Sequence, residues 1–338
     1  MSSTLSFALV GCGDAGTEMW QGISAASPAE LVMLMDENPQ LLDDLRQVYA
    51  VPATTNMEDV LRNVGVDAVY ISAPMEERVS LGIRAAEAGK HVFVEHPVAR
   101  DLADVDALMA ACEDHDVRLG VALGAQVDAG AAMARGMIRG EFLGRVIAVR
   151  VHALLEGTLS RRPSLGRDAG HGTLLASLME QLNTVRWVVG SEVMGVSARC
   201  GPRLEETEDG SIVLGAVLNY ANEAVGVLQG GWNLPGEGHE DVSGPRIYGT
   251  KGQLILAREP LAYFVEAPEG SASRSWHPLH FSGPLGDKEQ MVERFATAVL
   301  NGRKPPVTGA DARRALEIIE AIRRSAKSGS PQTLPLQE

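Results

Sequence analysis

Three glycines stand close together near the start of the chain, in Gly11-Cys12-Gly13-Asp14-Ala15-Gly16. They follow the apolar run Leu5–Val10 and open a helical pattern. In such a turn the first glycine permits the tight reversal and the second lets backbone approach a pyrophosphate. The third lets the helix lie close on the strand. Phosphates then meet the positive end of the helix and its free N–H groups. Asp36 lies 20 residues beyond Gly16 at the end of the next apolar run, where a carboxylate can accept from ribose hydroxyls. A glycine pattern alone matches any glycine-rich strand-to-helix turn. Strand, glycines, helix and acid together read as a dinucleotide site, with Gly11, Gly13, Asp14, Ala15, Gly16 and Asp36 as contacts. Asp36-Glu37-Asn38 offers no lysine or arginine to a 2′-phosphate, and Asp14 adds a negative charge inside the loop. NAD is therefore expected rather than NADP.

The elements that must hold this site alternate. Short β-rich runs occur at Leu5–Val10, Leu31–Met35, Ala68–Ser72, Val92–Val94 and Arg118–Val121, with helical patterns between them. Asn56 with Asp59, and Asp101 with Asp104, read as N-caps with an acid at the third helical position. Alternating β and α predicts a parallel sheet covered on both faces. The rhythm changes after about residue 122. Strand-like runs at Val146–Val151, Val193–Ala198, Ile212–Leu218, Ala224–Leu228, Arg246–Tyr248, Gln253–Leu256 and Ala262–Val265 are separated by Gly/Asn/Pro turns. Helical patterns Lys288–Leu300 and Asp311–Ala326 follow. The expected fold class is α/β: an N-terminal doubly wound parallel sheet of Rossmann type over 1–121, then an α+β domain over 122–338. That second domain carries an open, mostly antiparallel sheet and both C-terminal helices.

Composition narrows the partners. Of 338 residues, 45% are hydrophobic and 22% charged, which excludes a disordered or collagen-like chain. The formal charge of −14 has the wrong sign for a nucleic-acid footprint. No apolar run reaches the ~18 residues of a membrane span, and the N-terminus has no basic leader. Cys12, Cys112 and Cys200 are too scattered for a disulfide framework or a zinc site, so no metal is expected. A cytoplasmic protein with reduced thiols is expected.

Several further segments stand in the order found in the glucose–fructose oxidoreductase/inositol dehydrogenase (Gfo/Idh/MocA) family. Asp67-Ala68-Val69-Tyr70-Ile71-Ser72-Ala73-Pro74 resembles its fourth strand and proline turn, and Ala88–Pro97 resembles the segment ending in Glu-Lys-Pro. Gly140–Val146 resembles the entry to its second domain, and Gly249-Thr250-Lys251-Gly252 and the last helix also match. The resemblance covers nearly the whole chain. It implies a Rossmann domain, a substrate domain whose open sheet face makes a homodimer or homotetramer, and oxidation or reduction of a sugar or cyclitol carbinol with NAD(P). It also implies cofactor contacts at Ala73, Pro74, Glu95 and His96, with Pro97 shaping the cleft.

The usual reacting groups of the family are replaced here. His96 stands for the lysine of Glu-Lys-Pro. On the family's substrate-domain helix, Ala176 falls at the first aspartate, Glu180 at the histidine and Asn183 at the second aspartate. Met75 and Arg78 replace the Asn and His after Pro74, and Gly124-Ala125-Gln126 replaces an Asn/Arg after the sixth strand. Imidazole is a competent base near neutral pH, so His96 can take the hydroxyl proton, or else only line the nicotinamide ribose. At ~100° per residue, Ala176, Glu180, Asn183 and Trp187 lie opposite the apolar stripe Leu174, Leu178, Leu182 and Val185. Glu180 can accept a proton, orient His96 or pair with a cationic substrate. Glu76 and Glu77 near the cleft extend that last idea to an amino sugar or aminocyclitol. Asn183, His171 and Gln126 complete the expected substrate contacts. His277 and His280 flank Pro278 without a metal set, and His239 and Glu240 sit in a Gly/Pro-rich loop. The expected function is an NAD-dependent dehydrogenase or reductase. Its rivals are elimination or glycoside cleavage through transient oxidation, and a silent NAD-binding sensor or scaffold.

Overall fold

A computed structural model of the chain describes residues 4–156, 169–201, 212–234, 244–256, 262–265, 276–278 and 288–337. The chain divides into two compact units, Met1–Val127 with Gly286–Arg313, and Asp128–Leu285 with Arg314–Glu338.

The first unit alternates β1 (Leu5–Val10), α1 (Asp14–Ala25), β2 (Ala29–Met35), α2 (Pro39–Tyr49), β3 (Ala53–Thr54), α3 (Met57–Arg62), β4 (Ala68–Ile71), α4 (Met75–Glu87), β5 (His91–Val94), α5 (Leu102–Asp114) and β6 (Leu119–Val121). The strands form one parallel sheet in the order β3-β2-β1-β4-β5-β6. Central strands buried on both faces have no need of polar alternation, and all four residues of β4 are buried. Asn56 caps α3 by accepting from Glu58 N at 3.1 Å, as its sequence position predicts. Asp101 occupies the N-cap position of α5, but its side chain makes no capping hydrogen bond.

The second unit holds α6 (Ala129–Arg139), β7 (Val146–Glu156), α7 (Ala169–Val189), β8 (Val193–Cys200), β9 (Ile212–Tyr220), β10 (Val225–Leu234), β11 (Arg246–Gly249), β12 (Gly252–Ile255), β13 (Ala262–Val265) and β14 (His277–Pro278). It also takes β15 (Gln332–Thr333). The order is β14-β13-β12-β11-β7-β10-β9-β8-β15, antiparallel except for the β7–β10 pair. One face buries Val149, Val151 and Ala153 in a core shared with Leu174, Leu178, Leu182 and Val185 of α7. Period-2 alternation turns Ile147, Met194, Val217, Val225 and Val227 outward, where all are exposed.

Assigning both C-terminal helices to the second domain needs correction. In the sequence the helix α8 (Lys288–Leu300) follows the second unit's strands, yet it belongs to the first unit. Its apolar stripe Met291, Val292, Phe295 and Ala296 is buried with β1, α1 and β5 side chains. Phe295 stacks on Phe93 with ring centroids 4.7 Å apart. The last helix, α9 (Gly309–Ser328), starts in the first unit, where Arg313 Nε donates to Asp106 Oδ1 at 2.5 Å. It then contributes Ile318, Ala321 and Ile322 to the second unit's core.

Candidate active site

In an open parallel sheet the ligand crevice lies beyond the C-terminal strand ends, where the strand order reverses. Here the reversal falls between β1 and β4. Gly11 follows β1 with φ of +88°, a conformation that glycine adopts without cost. A Cβ at Gly11 would lie 2.5 Å from Ala73 N, and one at Gly16 would lie 2.1 Å from Gly11 O. The loop is thus pressed against the β4 turn, and Ser72 Oγ ties the two by donating to Gly11 O at 2.8 Å. Gly13 differs: nothing lies within 4 Å of its would-be Cβ, and no side chain caps α1 there. A backbone open to a ligand at an uncapped helix N-terminus fits a pyrophosphate. Asp14 is exposed and Ala15 half-buried in the first turn.

Asp36 reaches back to this loop. Its Oδ2 accepts from Cys12 N at 2.7 Å and its Oδ1 from Asn38 N at 2.9 Å. The carboxylate therefore shapes the glycine loop as well as standing at the ribose position, and ionised it has lone pairs left for hydroxyl donors. Cys12 is packing: its side chain is buried, and burial followed by the Asp36 charge pushes its thiol up to about 12.

The end of β5 carries a denser network. Glu95 is buried, and its Oε1 accepts from His96 N at 3.0 Å and lies 2.9 Å from His96 Nδ1. Tyr70 donates its hydroxyl to Glu95 Oε2, and Lys288 Nζ stands 3.7 Å from that same oxygen. Burial alone would raise this carboxyl. The His96 hydrogen bond and charge, then Lys288, then Tyr70, hold it instead at about 2. His96 Nδ1 also lies 2.7 Å from Ala122 O. Both neighbours of Nδ1 are acceptors, so Nδ1 carries the hydrogen and the lone pair of the neutral ring is on Nε2. Arg78 fixes the surrounding turns, donating to Ala73 O at 2.8 Å, Glu95 O at 3.3 Å and Pro97 O at 2.6 Å.

The first unit thus brings together Gly11, Gly13, Asp14, Ala15, Gly16, Asp36, Ala73, Pro74, Glu95 and His96 at one end of its sheet. Gln126 is buried in the loop after β6. The remaining substrate candidates stand on α7 in the second unit. Glu180 is half-buried there, and its backbone carbonyl accepts from Thr184 Oγ1 at 2.7 Å. Asn183 departs from expectation, because it is fully buried and accepts from Arg186 Nη2 at 3.2 Å. Leu182 and Val185 on either side draw that part of the helix into the core. His171 lies in the first turn of α7, and its side chain is outside the described residues, as are His239, Glu240 and His280. His277 is stacked on Tyr263. Among the described residues, no three His, Cys, Asp or Glu side chains are grouped to hold a metal, and no helix is long and apolar enough to cross a membrane.

Three site residues escaped the sequence reading in this role: Tyr70, Arg78 and Lys288. Tyr70 sits in an apolar strand and Arg78 in a polar helix turn, so the single detectable hint was an arginine four residues after the β4 proline turn. Lys288 lies 193 positions from Glu95 and gave no local signal.

Comparison with known proteins matches family models to both parts of the chain. Residues 5–123 match the model of the oxidoreductase family with an NAD-binding Rossmann fold, and residues 135–334 match that family's C-terminal alpha/beta domain. The chain is 26% identical to a 1,5-anhydro-D-fructose reductase of Ensifer adhaerens, over 95% of this chain and 96% of that one. It is 23% identical to a myo-inositol 2-dehydrogenase of Thermotoga maritima, over 94% and 95% of the two chains. The crystal structure of an aldose-aldose oxidoreductase from Caulobacter crescentus superposes with a TM-score of 0.84 at 23% identity, covering 98% of this chain and all of that one. The two matched domains, which together span most of the chain, make it a member of the Gfo/Idh/MocA family of NAD(P)-dependent oxidoreductases.

Proposed function

We propose that this chain is an NAD-dependent dehydrogenase or reductase acting on a CH–OH/C=O centre of a sugar or cyclitol. The observation that carries this reading is the Glu95–His96 pair, set at the same sheet end as the glycine loop. Bound there, the dinucleotide supplies the acceptor or donor of hydride. Nε2 of His96 takes the hydroxyl proton during oxidation and returns it during reduction. Glu95, 2.9 Å from Nδ1, holds the ring and stabilises the imidazolium as it forms. The names of the two curated relatives, one a reductase of an anhydro sugar and one a dehydrogenase of a cyclitol, support a polyhydroxylated ring as substrate.

The preference for NAD over NADP rests on crowding of carboxylates around Asp36. Burial and then the charges of Glu37, Glu76 and Asp36 raise the Glu77 carboxyl. Arg100 is paired with Glu76 at 3.2 Å, and Arg78 is engaged by backbone carbonyls. A 2′-phosphate would add negative charge to that cluster. Glu77 stands near Asp36, so among the described candidates Glu180 on α7 is the carboxylate left to favour an amino group on the substrate. Paired amino and hydroxy sugars compared at low and high salt test that refinement, and equal rates would remove it.

The outward valines of the second sheet support a homodimer or homotetramer through that face. Three free cysteines suit a cytoplasmic setting. The direct test is a panel of polyols, cyclitols and amino sugars offered with NAD, read by NADH absorbance. Net NADH formation with one member supports the proposal. Binding of NADH with no turnover of any member would contradict it.

A further inference from the structure

The two oxygens of Glu95 have different partners. Oε1 serves His96, through its backbone N–H and Nδ1, while Oε2 takes the Tyr70 hydroxyl and faces the Lys288 ammonium at 3.7 Å. Lys288 is fixed in place by more than its charge. It is the first residue of α8, and a Cβ at Gly22 of α1 would lie 2.7 Å from Lys288 C and 2.8 Å from its Cβ. The missing side chain at Gly22 lets the start of α8 sit on α1, which delivers the lysine stem toward the end of β5.

We propose that Lys288 is a positioning residue for the His96 proton step, acting through Glu95; this rests on the reading of His96 as the base. A carboxylate beside an imidazole stabilises the charged ring, and an ammonium on the far oxygen offsets part of that stabilisation. Lys288 keeps Glu95 ionised and oriented, and also restrains how strongly Glu95 holds a proton on His96. The ring stays neutral, with its lone pair on Nε2, at a lower pH than a Glu95–His96 pair alone would allow. In this sequence the lysine absent from the Glu-Lys-Pro position is thereby answered by a lysine from a distant helix, placed behind the carboxylate. The charged and titratable groups facing this network are Tyr70 from β4, Arg78 from α4, Glu18 from α1 and Lys288 from α8.

The experiment is an NMR titration of the histidine ring protons in the intact chain, with His96 identified by the resonance that H96Q removes. K288M keeps the stem over Gly22 and deletes the charge, and K288R keeps the charge. The expected result is that K288M raises the His96 midpoint by about half a pH unit and K288R restores it. Where substrate turnover is available, the acidic limb of the kcat/KM profile moves with the midpoint. An unchanged midpoint in a folded K288M protein overturns the proposal. Should K288M fail to fold, K288Q replaces it: it also deletes the charge while keeping a polar stem, the midpoint is again expected to rise, and an unchanged midpoint overturns the proposal. The titration is read without substrate, so a failed role for His96 in turnover and a failed coupling to Lys288 are told apart.

Discussion

Glu95 is an ionised carboxylate enclosed by protein, and its behaviour in acid follows from that. Its carboxyl is held at about 2 in the folded chain against an ordinary 4.5, so the folded state favours the charged form. The resulting stability is complete above pH 4.5 and is lost as pH falls towards 2, with a magnitude on the order of 3 kcal/mol. The stability gap between wild type and E95Q, measured by urea unfolding, should therefore narrow on acidification; a gap constant with pH would contradict the network. Asp36 makes a second prediction. D36A loses the acceptor for Cys12 N, and NADH affinity should fall roughly tenfold or more, with a smaller preference over NADPH. Fluorescence titration with both nucleotides reads this directly. Asp36 and the glycines were legible because a local turn must be built from particular residue types. Their added bond, carboxylate to loop N–H, was not, because it closes only when β1 and β2 pair.

Among the elements, α8 shows where sequence order and spatial order part. Its helical period was plain from Lys288 to Leu300, but periodicity says which face is buried and not against what. Placing it with the preceding strands followed chain order. The structure instead sets Phe295 on Phe93 and near Phe7 in the first unit's core. F295A should cost about 3–5 kcal/mol of stability in thermal or urea unfolding, as for other large core truncations. A chain ended after Val127 should unfold at lower denaturant than the whole, because it exposes the apolar surface that α8 covers. Most strands of both sheets were legible from apolar runs and turns. The two-residue strands β3, β14 and β15 were not, since pairing rather than sequence pattern defines them. Along α7 the apolar stripe was read correctly, while Asn183 is buried beside it through its bond to Arg186.

For the whole molecule, the formal charge of −14 gains a partial address in Asp36, Glu37, Glu76 and Glu77, the cluster on which the proposed preference for NAD rests. The exposed valines make a prediction at this scale as well. On the proposed homo-oligomer, V217D with V227D should lower the mass to that of a monomer in light scattering after size exclusion while NADH still binds; an unchanged mass would contradict association through this face. His96 is proposed to handle the proton of a carbinol oxidised with NAD. The most direct measurement is kcat for NADH formation by wild type and H96Q on the best polyol, with NADH affinity measured alongside. The expected result for H96Q is a loss of roughly a hundredfold or more in kcat with affinity nearly unchanged. Equal turnover by the two proteins would contradict it.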